Sequence, residues 1–312
     1  MGHYLLIGAG FSRNWGGPLS DEVTGSLLGD LHDDAQIVAA LRRGPFEEAF
    51  QGFGTPTQGG FDASRVLRFQ EAVIALFDRL NKTFVKKEFE FNNDLDWSVM
   101  RFLAKFDAIF TLNQDLLLEI HYVSRFPPFG RFSGVDIPGM TAQPPASNTG
   151  PYDMTMMTWR PTQNIMGGPG YQPLYKLHGS SRWYTESGDP LLIMGNAKAG
   201  AIGRFPIIQE YHRQFATRLS EDNAKLMVVG YSFQDEHINE VIERASRSNG
   251  LATYIVDLKG RDVLLDPKMD RAAIRVKRDI ENIKIIGELR RPLSSVFSAD
   301  AFAHGELMRF FR

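Results

Sequence analysis

The sequence predicts an α/β protein: a parallel sheet with helices on both faces. Three observations carry this. Short continuous apolar runs, Tyr4 to Ile7 and Leu226 to Val229 among them, each end in glycine or polar residues, as strands buried on both faces do. Segments of helical spacing alternate with these runs, and that alternation implies parallel strands joined by crossover helices. The chain has 312 residues, 43% of them hydrophobic and 12% aromatic, which suffices to bury a sizeable core.

Taken in order, Tyr4 to Ile7 reads as a strand that turns sharply through "GAGFSRNWGGP", Gly8 to Pro18. Pro18 and Ser20 offer a helix start, with weak periodicity to about Leu31. Residues 44–62 are rich in glycine and proline and predict a loop with at most a short helix. The clearest helix follows, with Val66, Phe69, Val73, Leu76, Phe77 and Leu80 on one face. Leu95 to Phe106 predicts another helix, and Asp107 to Asn113 a strand with a polar end. Residues 125–170 are dense in proline, glycine and small polar residues and predict an inserted irregular lobe or lid. Alternation then resumes: strand "PLYKLHG", hairpin "RWYTESGDPLLIM", a helix at Gln209 to Leu219, strand "KLMVVGYS", a helix from Asp235 to about Ser246, and strand "TYIVDL". The expected organisation is a Rossmann-like core over 1–34, 92–124 and 171–290. Helical or irregular insertions occupy 35–91 and 125–170, and 291–312 forms a C-terminal assembly segment.

Composition excludes several functions. Lysine plus arginine (35) nearly balances aspartate plus glutamate (37), and no basic run tracks a phosphate backbone, so nucleic acid is not expected as a direct ligand. There is no cysteine, which rules out disulfides and thiolate metal sites. No charged and apolar leader precedes the first strand, the apolar runs are too short to cross a bilayer, and Met1-Gly2 lacks the Ser or Thr of a myristoylation signal. The expected compartment is the cytoplasm, with no membrane attachment.

In an open parallel sheet, ligands bind beyond the carboxyl ends of the strands. Polar groups stand at five such ends: Gly8-Ala9-Gly10-Phe11-Ser12, Thr111 to Asp115, His178-Gly179-Ser180, Gly230-Tyr231-Ser232 and Asp257. The first could cradle a phosphate, since glycines allow close backbone approach and a helix N-terminus favours an anion. A dinucleotide fingerprint would need a third glycine where Arg13 stands, and Asp30, at ribose-binding distance along the chain, follows no convincing second strand. The residues alone therefore leave a phosphate turn and a plain strand-to-helix turn both open. His178 alone reads as well as a structural histidine, and Asn113 and Asp115 as helix caps. Ser232, followed by Asp257 and His304, has the order of a serine hydrolase, but Gln234 replaces the closing glycine of the nucleophile elbow. His178, His212 and His237 lack metal-ligand spacing.

Together these segments resemble the sirtuin family of NAD-consuming enzymes. Gly8, Ala9, Gly10, Ser12, Gly16 and Pro18 match the family's G-A-G-[IA]-S-x-x-S-G-I-P segment without a gap. Thr111, Asn113 and Asp115 match T-Q-N-I-D, His178-Gly179 the catalytic H-G pair, and Gly230 and Ser232 V-G-T-S-L. Asp257 stands where sirtuins usually have asparagine. Two departures matter. The paired C-x-x-C motifs of the structural zinc module are missing, and Leu19-Ser20-Asp21 replaces D-F-R. The motifs look closer to the divergent sirtuin-like proteins of bacterial antiviral systems, which hydrolyse NAD.

The resemblance implies NAD as substrate, no metal, and a turn from Gly8 through Phe11 to Ser12 that receives the pyrophosphate. It implies that Asn113 orients water at the anomeric carbon and that Asp115 holds the nicotinamide carboxamide. His178 is implied as the base at the ribose hydroxyls, with Thr111, Gly230, Ser232 and Asp257 in cofactor binding. Homo-oligomerisation and a separate sensor, such as a HerA-type ATPase subunit, are the partners it suggests.

Overall fold

The computed structural model describes residues 2–54, 62–126, 130–144, 154–162, 167–194, 200, 202–265 and 280–312. The chain opens with β1 (His3–Ile7), α1 (Ala9–Ser12), α2 (Ser20–Asp30), α3 (Ala35–Leu41), α4 (Phe46–Gly54) and α5 (Ala63–Phe84). It continues through α6 (Val99–Leu103), β2 (Ala108–Thr111), β3 (Gly134–Asp136), β4 (Met140–Gln143), β5 (Thr158–Pro161), β6 (Tyr171–Lys176), β7 (Gly179–Tyr184) and β8 (Pro190–Leu192). Then follow α7 (Pro206–Leu219), β9 (Lys225–Val229), α8 (Glu236–Asn249), β10 (Ala252–Val256), β11 (Lys284–Leu289), α9 (Leu293–Val296) and α10 (Ala301–Met308).

Among the described residues the main sheet has the order β11-β10-β9-β1-β2-β6-β3, with every pairing parallel. The fold is Rossmann-like. Leu5, Leu6, Ile7, Ile109, Phe110 and Leu226 are fully buried, as expected of strands covered on both faces. Leu5 lies opposite Ile109 on one side and Met227 on the other, which makes β1 the middle of the sheet. From β1 the chain builds outward through β2 and β6, then returns across α7 to start β9 on the opposite flank of β1. The gap between β1 and β9 is therefore the topological switch point, where such sheets bind ligands.

Helices flank the sheet. Phe215 of α7 meets Phe110 of β2 edge-on at 4.9 Å, and Phe102 of α6 packs on Phe297 and Phe311 near the chain's end. The long periodic helix forms as its spacing predicts. Asp62 caps α5 by accepting from the Arg65 N–H, and Phe69, Val73, Leu76 and Phe77 lie buried. They meet Val23 and Leu27 of α2, Ile37 and Leu41 of α3, and Leu192 of β8 in a second, smaller core. Residues 20–30, which the sequence assigns to the Rossmann-like core, thus pack into this helical layer.

Two other segments differ from expectation. The 125–170 stretch is not irregular throughout. Its described parts supply β3 to the edge of the main sheet, and β4 and β5 to a second sheet of order β4-β5-β7-β8. The 291–312 segment turns inward: Leu293, Val296, Phe297, Leu307 and Phe310 are buried in the chain's own core.

Candidate active site

The polar groups singled out in the sequence follow β10, β9, β1, β2 and β6, five strands adjacent in the sheet and all parallel. Asp257, Gly230 with Ser232, Gly8 to Ser12, Thr111 to Asp115, and His178 therefore share one edge of the molecule.

The turns after β1 and β9 interlock. Gly8 N–H donates to Val229 O at 3.0 Å, and Gly10 N–H to Gly230 O at 2.9 Å. Gly230 has φ +62°, and a Cβ there would stand 2.4 Å from the carbonyl carbon of Gly10, so only glycine fits. The turn after β1 runs straight into α1, whose first residues include the exposed Ala9, while Phe11 and Ser12 are buried against the core.

The segment after β2 is tied to the same turn. Asn113 Nδ2 donates to Gly8 O at 3.1 Å and to Ser12 Oγ at 3.0 Å, and Ser12 Oγ donates to Asp115 Oδ2 at 2.8 Å. Thr111 Oγ1 accepts from the Asn113 N–H at 3.0 Å, and Asp115 Oδ1 from the Leu117 N–H at 3.0 Å. Asn113 is part-exposed above these buried partners. The geometry thus brings Gly8, Ser12, Thr111, Asn113 and Asp115 into one hydrogen-bonded unit.

His178 ends the run after β6 and is buried, with Gly179 behind it at φ +71°. A Cβ at Gly179 would strike Leu191 O, so the pair's glycine is what lets the chain reverse into β7. His178 Nε2 lies 3.2 Å from His237 Nε2, near the start of α8. With both rings neutral, one donates and the other accepts. His212 of α7 completes an aromatic trio, its centroid 5.4 Å from that of His237. Its Nε2 donates to Leu177 O, and burial, reinforced by the charge His237 can carry, lowers its pKa to about 4. His212 therefore stays neutral at physiological pH. Among the described residues, no three histidine or carboxylate side chains converge as a metal site.

Asp257 and Ser232 lie farther along the edge. Asp257 Oδ1 accepts from the Lys259 N–H at 2.8 Å, which leaves its other oxygen for a ligand, and Ser232 is exposed. The hydrolase order is not assembled: His304 stacks on Trp97 at 4.6 Å, and no hydrogen bond among the described residues joins it to Asp257.

Several supporting residues escaped the sequence reading. Asn81 of α5 accepts from the Leu116 N–H at 2.9 Å, and Gln114 Nε2 donates to Ile193 O at 2.7 Å. Lys176 and Glu119 form a buried ion pair at 2.7 Å. Two of them left a signal: Asn81 is a polar residue at helical spacing on the apolar face of α5, and Lys176 is a buried lysine at the end of an apolar run. A hollow of about 610 Å³ opens at the other end of the sheet, by Tyr4, Asp107, Arg131 and Arg218. Its charges are partly matched internally, Arg131 with Asp107 at 2.6 Å, and it is remote from the arrangement above.

The family model for the SIR2-like domain matches residues 107–286, which takes in the segment after β2, the His-Gly pair and strands β9 and β10. The chain belongs to the SIR2-like family. No curated protein matches it. Membership makes the chain NAD-related. No helix among the described residues is long and apolar enough to cross a membrane.

Proposed function

We propose that this SIR2-like chain is an NAD⁺ glycohydrolase: it cleaves the nicotinamide–ribose bond with water to give nicotinamide, ADP-ribose and a proton. The observation that supports this most is the single hydrogen-bonded unit of Gly8, Ser12, Asn113 and Asp115 at the switch point, with His178 on the neighbouring strand. The reaction needs little beyond such an arrangement. Nicotinamide leaves as a neutral pyridine from a cationic one, so the leaving group takes no proton and the transition state is an oxocarbenium ion. The site must hold the dinucleotide, present water and stabilise positive charge at the ribose.

In this reading the Gly8–Ser12 turn takes the pyrophosphate, and Gly230 and Ser232 flank it. Asp257 binds the adenosine ribose, as acids commonly do at the end of such a strand. Asp115 accepts from the carboxamide, Asn113 orients the attacking water, and His178 serves as base at the ribose hydroxyls, passing its proton towards His237. The chain's place is in bacterial anti-phage defence by NAD depletion, acting in the cytoplasm as a homo-oligomer under a separate sensor such as a HerA-type ATPase. Protein deacylation is disfavoured by the missing cysteine zinc module and by Leu19-Ser20-Asp21 in place of D-F-R.

The test is to incubate the pure protein with NAD, alone and with candidate partners, and to resolve nicotinamide, ADP-ribose and cyclic ADP-ribose by chromatography. Equimolar nicotinamide and ADP-ribose are expected, with no NAD-dependent removal of acetyl groups from lysine peptides. Intact NAD under every condition, or robust deacetylation by the chain alone, would overturn the assignment.

A further inference from the structure

Directly beneath the Asn113–Asp115 segment lies a charged pair that sheet packing does not call for. Lys176, the last residue of β6, and Glu119 have side chains only 1% exposed, and their charged atoms are 2.7 Å apart. Burying two charges costs more than their attraction commonly returns, and an apolar pair of the same volume would serve stability at least as well. What an apolar pair could not do is donate a hydrogen bond. Lys176 Nζ also donates to the main-chain carbonyl of Asp115, the residue whose carboxylate holds Ser12.

The backbone beside this contact is irregular. Residues Glu119–Val123 form a π-helical turn, with the Ser124 N–H reaching back to Glu119 O at 3.2 Å. Such turns are rare and cluster at functional sites. Burial pushes the Glu119 carboxyl above the usual carboxylate range, while the Lys176 ammonium pulls against that. Among the described residues its second oxygen, Oε2, has no hydrogen-bond partner. Both side chains line a small cavity of about 10 Å³, shared with Ser12, Thr111, Asn113 and Asp115. That is about the space of one water molecule.

We infer that Lys176 is a positioning residue for the reaction: its donation to Asp115 O fixes the turn that presents Asn113 and Asp115, and Glu119, by accepting from the same ammonium, holds the lysine side chain in place for that contact. The role of that turn in NAD cleavage rests on the function proposed above.

Two readouts test this in the full-length chain. The first is amide hydrogen exchange at residues 113–117, which needs no NAD; the second is kcat and KM for NAD. The informative variant is the double substitution Lys176→Met with Glu119→Leu, which removes both charges together. It is expected to unfold at about the wild-type denaturant midpoint, yet to lose at least tenfold of the exchange protection at 113–117 and at least tenfold of kcat, with KM changed less. Glu119→Gln, which still accepts from Lys176, is expected to keep the exchange protection.

Wild-type protection and kcat in a stable double variant would reduce the pair to a structural role and overturn the inference. Should the double variant not fold, Glu119→Gln decides: lost protection would mean that the turn answers to the carboxylate charge and not to the lysine's donation. If wild-type protein leaves NAD intact, the hydrolase assignment fails by itself, and the exchange comparison still judges Lys176.

Discussion

Asn113 commits both amide N–H bonds to the neighbouring turn, donating to Gly8 O and Ser12 Oγ, so its side-chain oxygen is the group left to orient a water. Asn113→Ala removes that oxygen and the brace together. It is expected to lower NAD turnover by about a hundredfold or more, the usual cost of losing one positioned electrostatic group. His178→Ala should cost a similar factor, about a hundredfold. Circular dichroism spectra of both variants should match wild type, and near-native turnover in either would remove that residue from the mechanism. His212 offers a titration test. Its folded pKa of about 4 lies below the ordinary 6.5, so the unfolded chain takes up a proton first as pH falls. The stability contributed by neutral His212 is full above about pH 6.5, declines between 6.5 and 4, and levels off below that. His212→Gln should flatten this part of the stability–pH curve measured by urea unfolding, whereas an unchanged slope would show that the ring does not stay neutral in the fold.

Among the elements, the turns carry sharper constraints than the strands. Gly230→Ala must hold φ +62° and place a Cβ 2.4 Å from Gly10, costing about 3 kcal/mol or more from left-handed strain plus overlap. Gly250 caps α8 at φ +72° with nothing within 4 Å, so Gly250→Ala bears only the strain of roughly 1–2 kcal/mol. Denaturant unfolding of the two variants separates these contributions, and equal losses would mean that the turns after β1 and β9 do not touch. The strands and α5 were legible from sequence because burial leaves a period in the residues themselves: Leu5, Leu6 and Ile7 in one run, Phe69, Val73 and Leu76 on one face. The strand-end residues were legible because parallel order puts all such ends together. Strands β3 to β5 were not, since three- and four-residue strands among prolines and glycines carry no period to read. Lys176 and Glu119 went unseen for another reason. Their meaning depends on a partner from a different element, and on a π turn that no local pattern announces.

For the whole molecule, an unrestrained NAD hydrolase would drain a metabolite that every cell needs, so a resting form of low activity is expected. The folding of 291–312 into the chain's own core leaves only its outer side for assembly, where Phe302 of α10 is 80% exposed. Light scattering should find the isolated chain as a homo-oligomer with low turnover, and turnover should rise steeply with its partner or activating signal. Each tenfold rise requires about 1.4 kcal/mol of preference for the active state. A monomer fully active alone and harmless when expressed would contradict this. The interlock of Gly8 and Gly10 with Gly230 bears on how such a chain can be inherited and shuffled. Its two halves come from distant stretches of sequence, so a crossover between related genes anywhere from α1 to β9 joins one parent's first turn to the other parent's second. Chimaeras broken there should fold less often than those broken after β10, because only the latter receive both sides of the contact from one parent.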